Sequence, residues 1–277
     1  MSRWHAQLDI CYSHENARTV ARFSHKGPLR VLQSLYPEGD AVCHNVLVHP
    51  PGGLVGGDTL DIQIELAANA HGLVTTPGAT RFYRSEHGLA TQNVRAKIAD
   101  HARLEWLPLE TLAYNACHGL NHTVFDLTPT AEMMAWDLTA LGLPHAHQPF
   151  EQGQLQQHME VRGLWLERGR LQAQDQRLLN SAVGLAGHRC LGTFIFASGS
   201  PLTSDRRNAA LEAARELVAQ SPTELLAGVT APNDQMLVLR TLSAVTEPAQ
   251  NLLRSVWAVW RHHLWQMSAQ APRIWAM

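Results

Sequence analysis

The chain has 277 residues, 45% of them hydrophobic, enough apolar material to bury a substantial core. Its 22 Lys and Arg stand against 24 Asp and Glu, a formal charge of −2, so no basic field favours nucleic acid or an anionic membrane as partner. Cys11, Cys43, Cys117 and Cys190 are widely spaced and form no CxxC, which fits reduced thiols better than a disulfide frame or a structural zinc knuckle.

The opening Met1-Ser2-Arg3-Trp4-His5 lacks the apolar run of a signal peptide. No stretch approaches the roughly 18 consecutive apolar residues of a membrane span. The expectation is a cytoplasmic protein. From about residue 40 to 200 the pattern predicts β-strands, and Thr59–Leu66 alternates polar and apolar side chains without a break. Shorter runs at His71–Thr76, Val94–Ile98, Leu104–Leu107, Thr123–Leu127, His158–Arg162, Gly163–Glu167 and Thr193–Ala197 are split by turn residues. Ala70, Ala102 and Ala131 each precede an apolar run, and their spacings of 32 and 29 residues predict stacked β layers, a solenoid-like body. A two-sheet sandwich is the alternative. Farther on, Ser204-Asp205 caps a predicted helix that ends at Ser221-Pro222. After a strand at Met236–Leu242, Thr246-Glu247-Pro248 opens a second helix with Leu252, Leu253, Val256, Trp257, Trp260 and Leu264 on one face. The fold class is therefore mainly β, a layered solenoid-like (β-helical) body with two C-terminal α-helices, and residues 1–277 form a single domain with no flexible linker.

Between two predicted strands lies His49-Pro50-Pro51-Gly52-Gly53-Leu54-Val55-Gly56-Gly57-Asp58. Two prolines fix φ and four glycines permit positive φ or close backbone approach, so this is a shaped loop that delivers Asp58 to a defined place. It lacks the Lys-Ser/Thr of a P-loop and the spacing of a Rossmann turn, and it enters a strand where a phosphate cradle opens a helix. Asp58 then either closes an Asx turn or lines a cavity. Arg81-Phe82-Tyr83-Arg84 puts Arg81, Tyr83 and Arg84 forward as a partner-binding patch, an ordinary solvated surface being the plainer reading.

Cys43, His44 and His49 form the best local set of metal ligands, with Cys117, His118 and His122 second and the pair His145 and His147 on a predicted strand face. None has the spacing of a structural zinc site, while so many imidazoles and thiols suit a loosely held borderline ion such as nickel. No GxSxG elbow, HExxH pair or papain-like cysteine context occurs. Glu105 and Glu110 flank a turn at Pro108 that leaves their separation undefined, so a glycosidase-like pair has no support. Of 8 tryptophans, Trp257 and Trp260 are expected at an interface together with the last helix that carries them.

The series Leu35-Tyr36-Pro37-Glu38-Gly39, His49–Asp58, Thr76-Pro77-Gly78-Ala79-Thr80-Arg81-Phe82-Tyr83-Arg84-Ser85, Leu104-Glu105-Trp106-Leu107-Pro108, Ala135-Trp136-Asp137 and Pro272-Arg273-Ile274-Trp275 resembles the urease accessory protein UreD (UreH) family, in order over nearly the whole chain. The resemblance implies a non-enzymatic maturation factor. It would dock on apo-urease, join UreF-like and UreG-like partners and support nickel delivery, with Ni2+ in transit and no permanently bound cofactor. Asp58 matches the family position thought to border an internal passage. Leu109 and Arg81 depart from the Gln and Lys common there, and Arg81 keeps the charge but not the shape of Lys. The competing expectation, from the residues alone, is a metal-dependent hydrolase using Cys43, His44 and His49.

Overall fold

The computed structural model describes residues 4–143 and 146–276. The chain begins with a hairpin of β1 (His5–Glu15) and β2 (Arg18–Lys26), the short β3 (Arg30–Val31) and β4 (Val42–Val48). There follow β5 (Thr59–Leu66), β6 (His71–Thr75), β7 (Thr80–Phe82), β8 (Ala90–Ile98), β9 (Arg103–Trp106) and β10 (Thr111–Ala113). Next come β11 (Cys117–Leu127), β12 (Glu132–Leu141), β13 (Gly153–Val161), β14 (Trp165–Gln172) and the short α1 (Gln176–Asn180). The remainder is β15 (Cys190–Ser198), α2 (Ser204–Ala219), β16 (Leu226–Asn233), β17 (Met236–Ser243), α3 (Thr246–Trp265) and a 3-10 turn, Arg273–Ala276.

The middle of the chain is a three-sided solenoid. On the first side β1, β5, β8, β11 and β13 run parallel, and on the second β4, β6, β9 and β12 do. The third side is narrow: β7 and β10 are parallel to each other and to the end of β12. Antiparallel β2 and β14 close the edges of the first sheet, while β15, β17 and β16 extend the second.

The spacing of Ala70, Ala102 and Ala131 is the coil period. All three are fully buried at the corner entering β6, β9 and β12, where His71, Arg103 and Glu132 stand in register. Arg103 N–H bonds the Ala70 carbonyl at 2.9 Å and Glu132 N–H the Ala102 carbonyl at 3.1 Å, so each corner pairs with the next coil. A small side chain at this corner lets successive coils approach to strand spacing. Positive φ at Asn69 and His101 turns the chain there.

Alternation assigns the faces. In β5 Leu60, Ile62, Ile64 and Leu66 point into the solenoid and the intervening residues point out. A second apolar layer lies between the outer face of the second sheet and the two long helices, with Trp136, Phe194, Phe196, Trp257 and Trp260 at its centre. The strands at the predicted positions are present; β5 has its expected bounds, β6 ends one residue early and β9 is shifted by one, while β8, β11, β13, β14 and β15 run longer than expected because ladder pairing carries them through polar residues. The N-terminal hairpin, β12 and β16 complete the sheets; β16 is an edge strand containing Gly228 and Pro232, which mask it in sequence. The N-cap of α2 is Thr203, one residue ahead of the predicted cap.

Trp257 and Trp260 require a correction. They are 2% and 0% exposed, inside the layer between α3, α2 and the second sheet, and offer no surface to a partner. Each indole N–H finds an acceptor inside the molecule: Trp257 gives its proton to Glu105, and Trp260 to the Ala210 carbonyl at 3.2 Å. A stripe of Trp is accommodated because facing sheet and helix surround it on both sides.

Candidate functional site

The Gly-rich loop joins β4 to β5. Its four glycines divide the work evenly: Gly52 and Gly57 have φ of +78° and +93°, whereas Gly53 and Gly56 permit close approach. A Cβ on Gly53 would meet the Tyr83 ring and lie 2.8 Å from the Arg81 carbonyl; one on Gly56 would collide with the His87 carbonyl oxygen and Ser85 Oγ. Gly56→Ala is accordingly expected to lower stability by about 1–3 kcal/mol, read as a fall in the thermal midpoint, whereas an unchanged midpoint would show that the loop gives way freely.

Asp58 is 3% exposed. Its N–H bonds the Val55 carbonyl at 3.0 Å and its carboxylate accepts the Val55 N–H at 3.0 Å, so the side chain closes the turn Val55–Asp58. Its carbonyl accepts from Thr91 N–H at 2.8 Å and carries the turn into the first sheet. The charge also reaches His49. Burial pushes the His49 imidazole below its ordinary pKa, and Asp58 opposes that shift. His49 stacks on Trp4 with ring centroids 5.4 Å apart, and its buried Nε2 has no hydrogen-bond partner among the described residues.

His49, Gly52, Gly53 and Leu54 form one wall of a cavity of about 210 Å3; Thr76–Arg81, Gln92, Trp106 and Pro108 form much of the rest. Arg81 thus lines a cavity, Tyr83 packs on Tyr114 with centroids 4.9 Å apart, and Arg84 is exposed beside Glu86 at 3.7 Å. Thr80, Gln92, Trp106 and Pro108 also bound a second cavity of about 10 Å3, which reaches Asn121, Thr123, Asp137 and Met159. Those four in turn bound a third, of about 20 Å3, ending at Gln157, His158, Glu167 and Thr193. The three cavities share wall residues in sequence and form a broken thread of small voids across the coils, apolar at the Gly-rich loop and polar toward Asp137.

Asp137 is the central charge of this thread. It accepts from Asn121 Nδ2 at 2.7 Å, Thr139 Oγ1 at 2.7 Å and Gln157 Nε2 at 2.9 Å. Burial, helped by the charge of Glu167 and opposed by these donors, raises its pKa to about 6. Gln92, Asn121 and Gln157 are in register on β8, β11 and β13, one amide per coil. At the far end Thr193 donates to Glu167 at 2.9 Å and Arg240 forms an ion pair with it.

The sequence-derived ligand set does not converge. Cys43 faces the solenoid core, His44 points the other way onto Glu38 at 2.7 Å, and only His49 reaches the cavity wall. Cys117 is buried, and burial raises its thiol to about 12; His118 contacts Gln154 at 2.6 Å, and His122 stacks on His158. His147 is in a turn at φ +54°, and His145 lies outside the described residues. Among the described residues no three His, Cys, Asp or Glu side chains come together as a metal cluster.

A family model for the UreD urease accessory protein matches residues 5–276. The chain belongs to the UreD family. The urease accessory protein UreD of Variovorax paradoxus is 58% identical over 273 residues, and that of Paracidovorax citrulli is 57% identical over 274; each alignment covers 99% of both chains. The UreD of Verminephrobacter eiseniae is likewise 57% identical over 274 residues and 99% of both chains. As a UreD the chain is a urease maturation factor and not a catalyst, which removes the hydrolase alternative. No helix of the described residues is long and apolar enough to cross a membrane.

Proposed function

We propose that this chain docks on apo-urease together with UreF-like and UreG-like partners and passes nickel toward the urease active site through its interior. The observation that supports the reading is the run of three wall-sharing cavities from the Gly-rich loop past Asp137 to Glu167. A cation in transit needs sequential, weak oxygen contacts, because a closed cage of four ligands releases its ion too slowly. Amides and hydroxyls provide such contacts, and ionised Asp137 offsets part of the cost of bringing a cation indoors. The two long helices turn their apolar faces inward and expose Glu212, Arg215, Glu216 and His262, a polar outer face for the UreF-like partner.

In this reading Asp58, which stands behind the cavity wall and not on it, has two separable duties: it caps the turn and places its charge near His49 on the wall. Asp58→Ala leaves the Val55 N–H without its side-chain acceptor and is expected to cost about 0.5–1.5 kcal/mol. Asp58→Asn keeps an acceptor oxygen and restores most of that stability. Both variants are expected to retain the complex in pull-downs while lowering the nickel content of co-expressed urease. Normal nickel content with Asp58→Asn would confine Asp58 to the turn. Neutralising Asp137 tests the passage itself, with urease nickel content as the measurement.

A further inference from the structure

The far end of the thread holds a cation of the protein's own. Asp137, Thr193, Arg240 and Gly228 occupy one register row across β12, β15, β17 and β16, leading from the interior to the sheet edge. Arg240 shares the inward face of β17 with Met236 and Val238, which belong to the solenoid core. Its guanidinium reaches Glu167, the carboxylate that bounds the last cavity, and the pair sits at the solvent boundary with side chains 61% and 34% exposed. Opposite Arg240 in the row, a Cβ added to Gly228 would meet nothing within 4 Å, so there is open space beside the arginine.

We propose that Arg240 is the gate of this mouth: its guanidinium is a tethered cation that occupies Glu167 and must swing aside, over Gly228, before a divalent ion can pass. This rests on the passage reading above. Arginine keeps its charge at every physiological pH, so the gate opens by displacement and not by deprotonation. A monovalent ion brings no more charge to Glu167 than the guanidinium already does, whereas a divalent ion brings twice as much. The mouth therefore discriminates by charge before any ligand chemistry begins.

The test is the nickel content of urease matured with the full chain in the intact complex, measured over a range of nickel supply. Arg240→Gln is expected to reach half-maximal nickel content at about threefold lower supply, the size of effect an exposed ion pair exerts, and Arg240→Lys to stay near the wild-type curve. Gly228→Val, which fills the space beside the arginine, is expected to shift the curve the other way. An Arg240→Gln curve that overlies wild type, while Asp137→Asn still lowers nickel content, overturns the gate and leaves the passage standing. If Asp137→Asn also matches wild type, the passage fails and the gate with it.

Discussion

Replacing Arg261 with methionine is expected to remove about 3–5 kcal/mol of stability, the usual result of breaking a buried ion pair from one side. Arg261 is fully buried on α3. Its Nη2 lies 2.7 Å from Glu38 and 3.5 Å from Glu105, and its guanidinium stands over the Trp257 ring at 5.1 Å. His44 contacts the same Glu38, and His71 contacts Glu105, each at 2.7 Å. Burial alone would raise both glutamates. For Glu38 the His44 contact and Arg261 overcome it; for Glu105 the His71 contact, the Arg261 charge and the Trp257 N–H do so, and both carboxyls end below their ordinary range. Burial pushes His71 down, so at neutral pH it serves as a neutral donor.

The sign of the pH dependence follows. With depressed folded-state values, the glutamates contribute stability above their unfolded pKa and lose it as pH falls through the folded value. In Arg261→Met two carboxylates share a dry site without a cation, their folded pKa values rise, and the deficit shrinks as pH is lowered. Urea denaturation at pH 7.5 and pH 5 measures this directly. A deficit independent of pH would show that lost packing, not unpaired charge, carries the cost, and Arg261→Lys separates the two by restoring charge in a different shape.

Asp137→Asn is expected to lower the nickel content of co-expressed urease roughly tenfold or more, the range typical of groups that orient a metal's path, with the accessory complex still assembled. Its carboxyl titrates at about 6 in the folded chain against an ordinary 3.8. Between those values the unfolded chain is ionised while the folded chain still holds the proton. Stability therefore falls as pH rises from about 4 to 6 and is flat above, a total of roughly 3 kcal/mol. The asparagine variant is expected to lack that slope. Wild-type nickel transfer should weaken below about pH 6, as protons compete for the carboxylate, and the variant should be insensitive over the same interval. Full nickel content in Asp137→Asn at pH 7.5 would take Asp137 off the route.

Much of the architecture was legible because it is written in period. Unbroken alternation gave β5, and the 32- and 29-residue echo of alanines gave the coils. What stayed hidden depends on register. Gln92, Asn121, Asp137 and Gln157 occupy inward positions of largely apolar strand faces, with Thr123 and Thr139 beside them on β11 and β12, and only pairing stacks them into one row. Asp58 was identifiable as a turn residue from its loop. The meeting of Glu38, Glu105 and Arg261 was not, since those residues are separated by more than 60 positions and joined only by packing. The tryptophans misled because a stripe that looks too wide for a single contact is covered from both sides.

The amide row also fixes a unit of length. Each coil advances the stack by about 4.8 Å, and each inward amide from Gln92 to Gln157 belongs to a different coil, so the amide row is measured out in whole rungs. Shortening or lengthening it is a matter of removing or adding a coil. One coil more or less changes the row by that increment and leaves the chemistry of every other rung as it was.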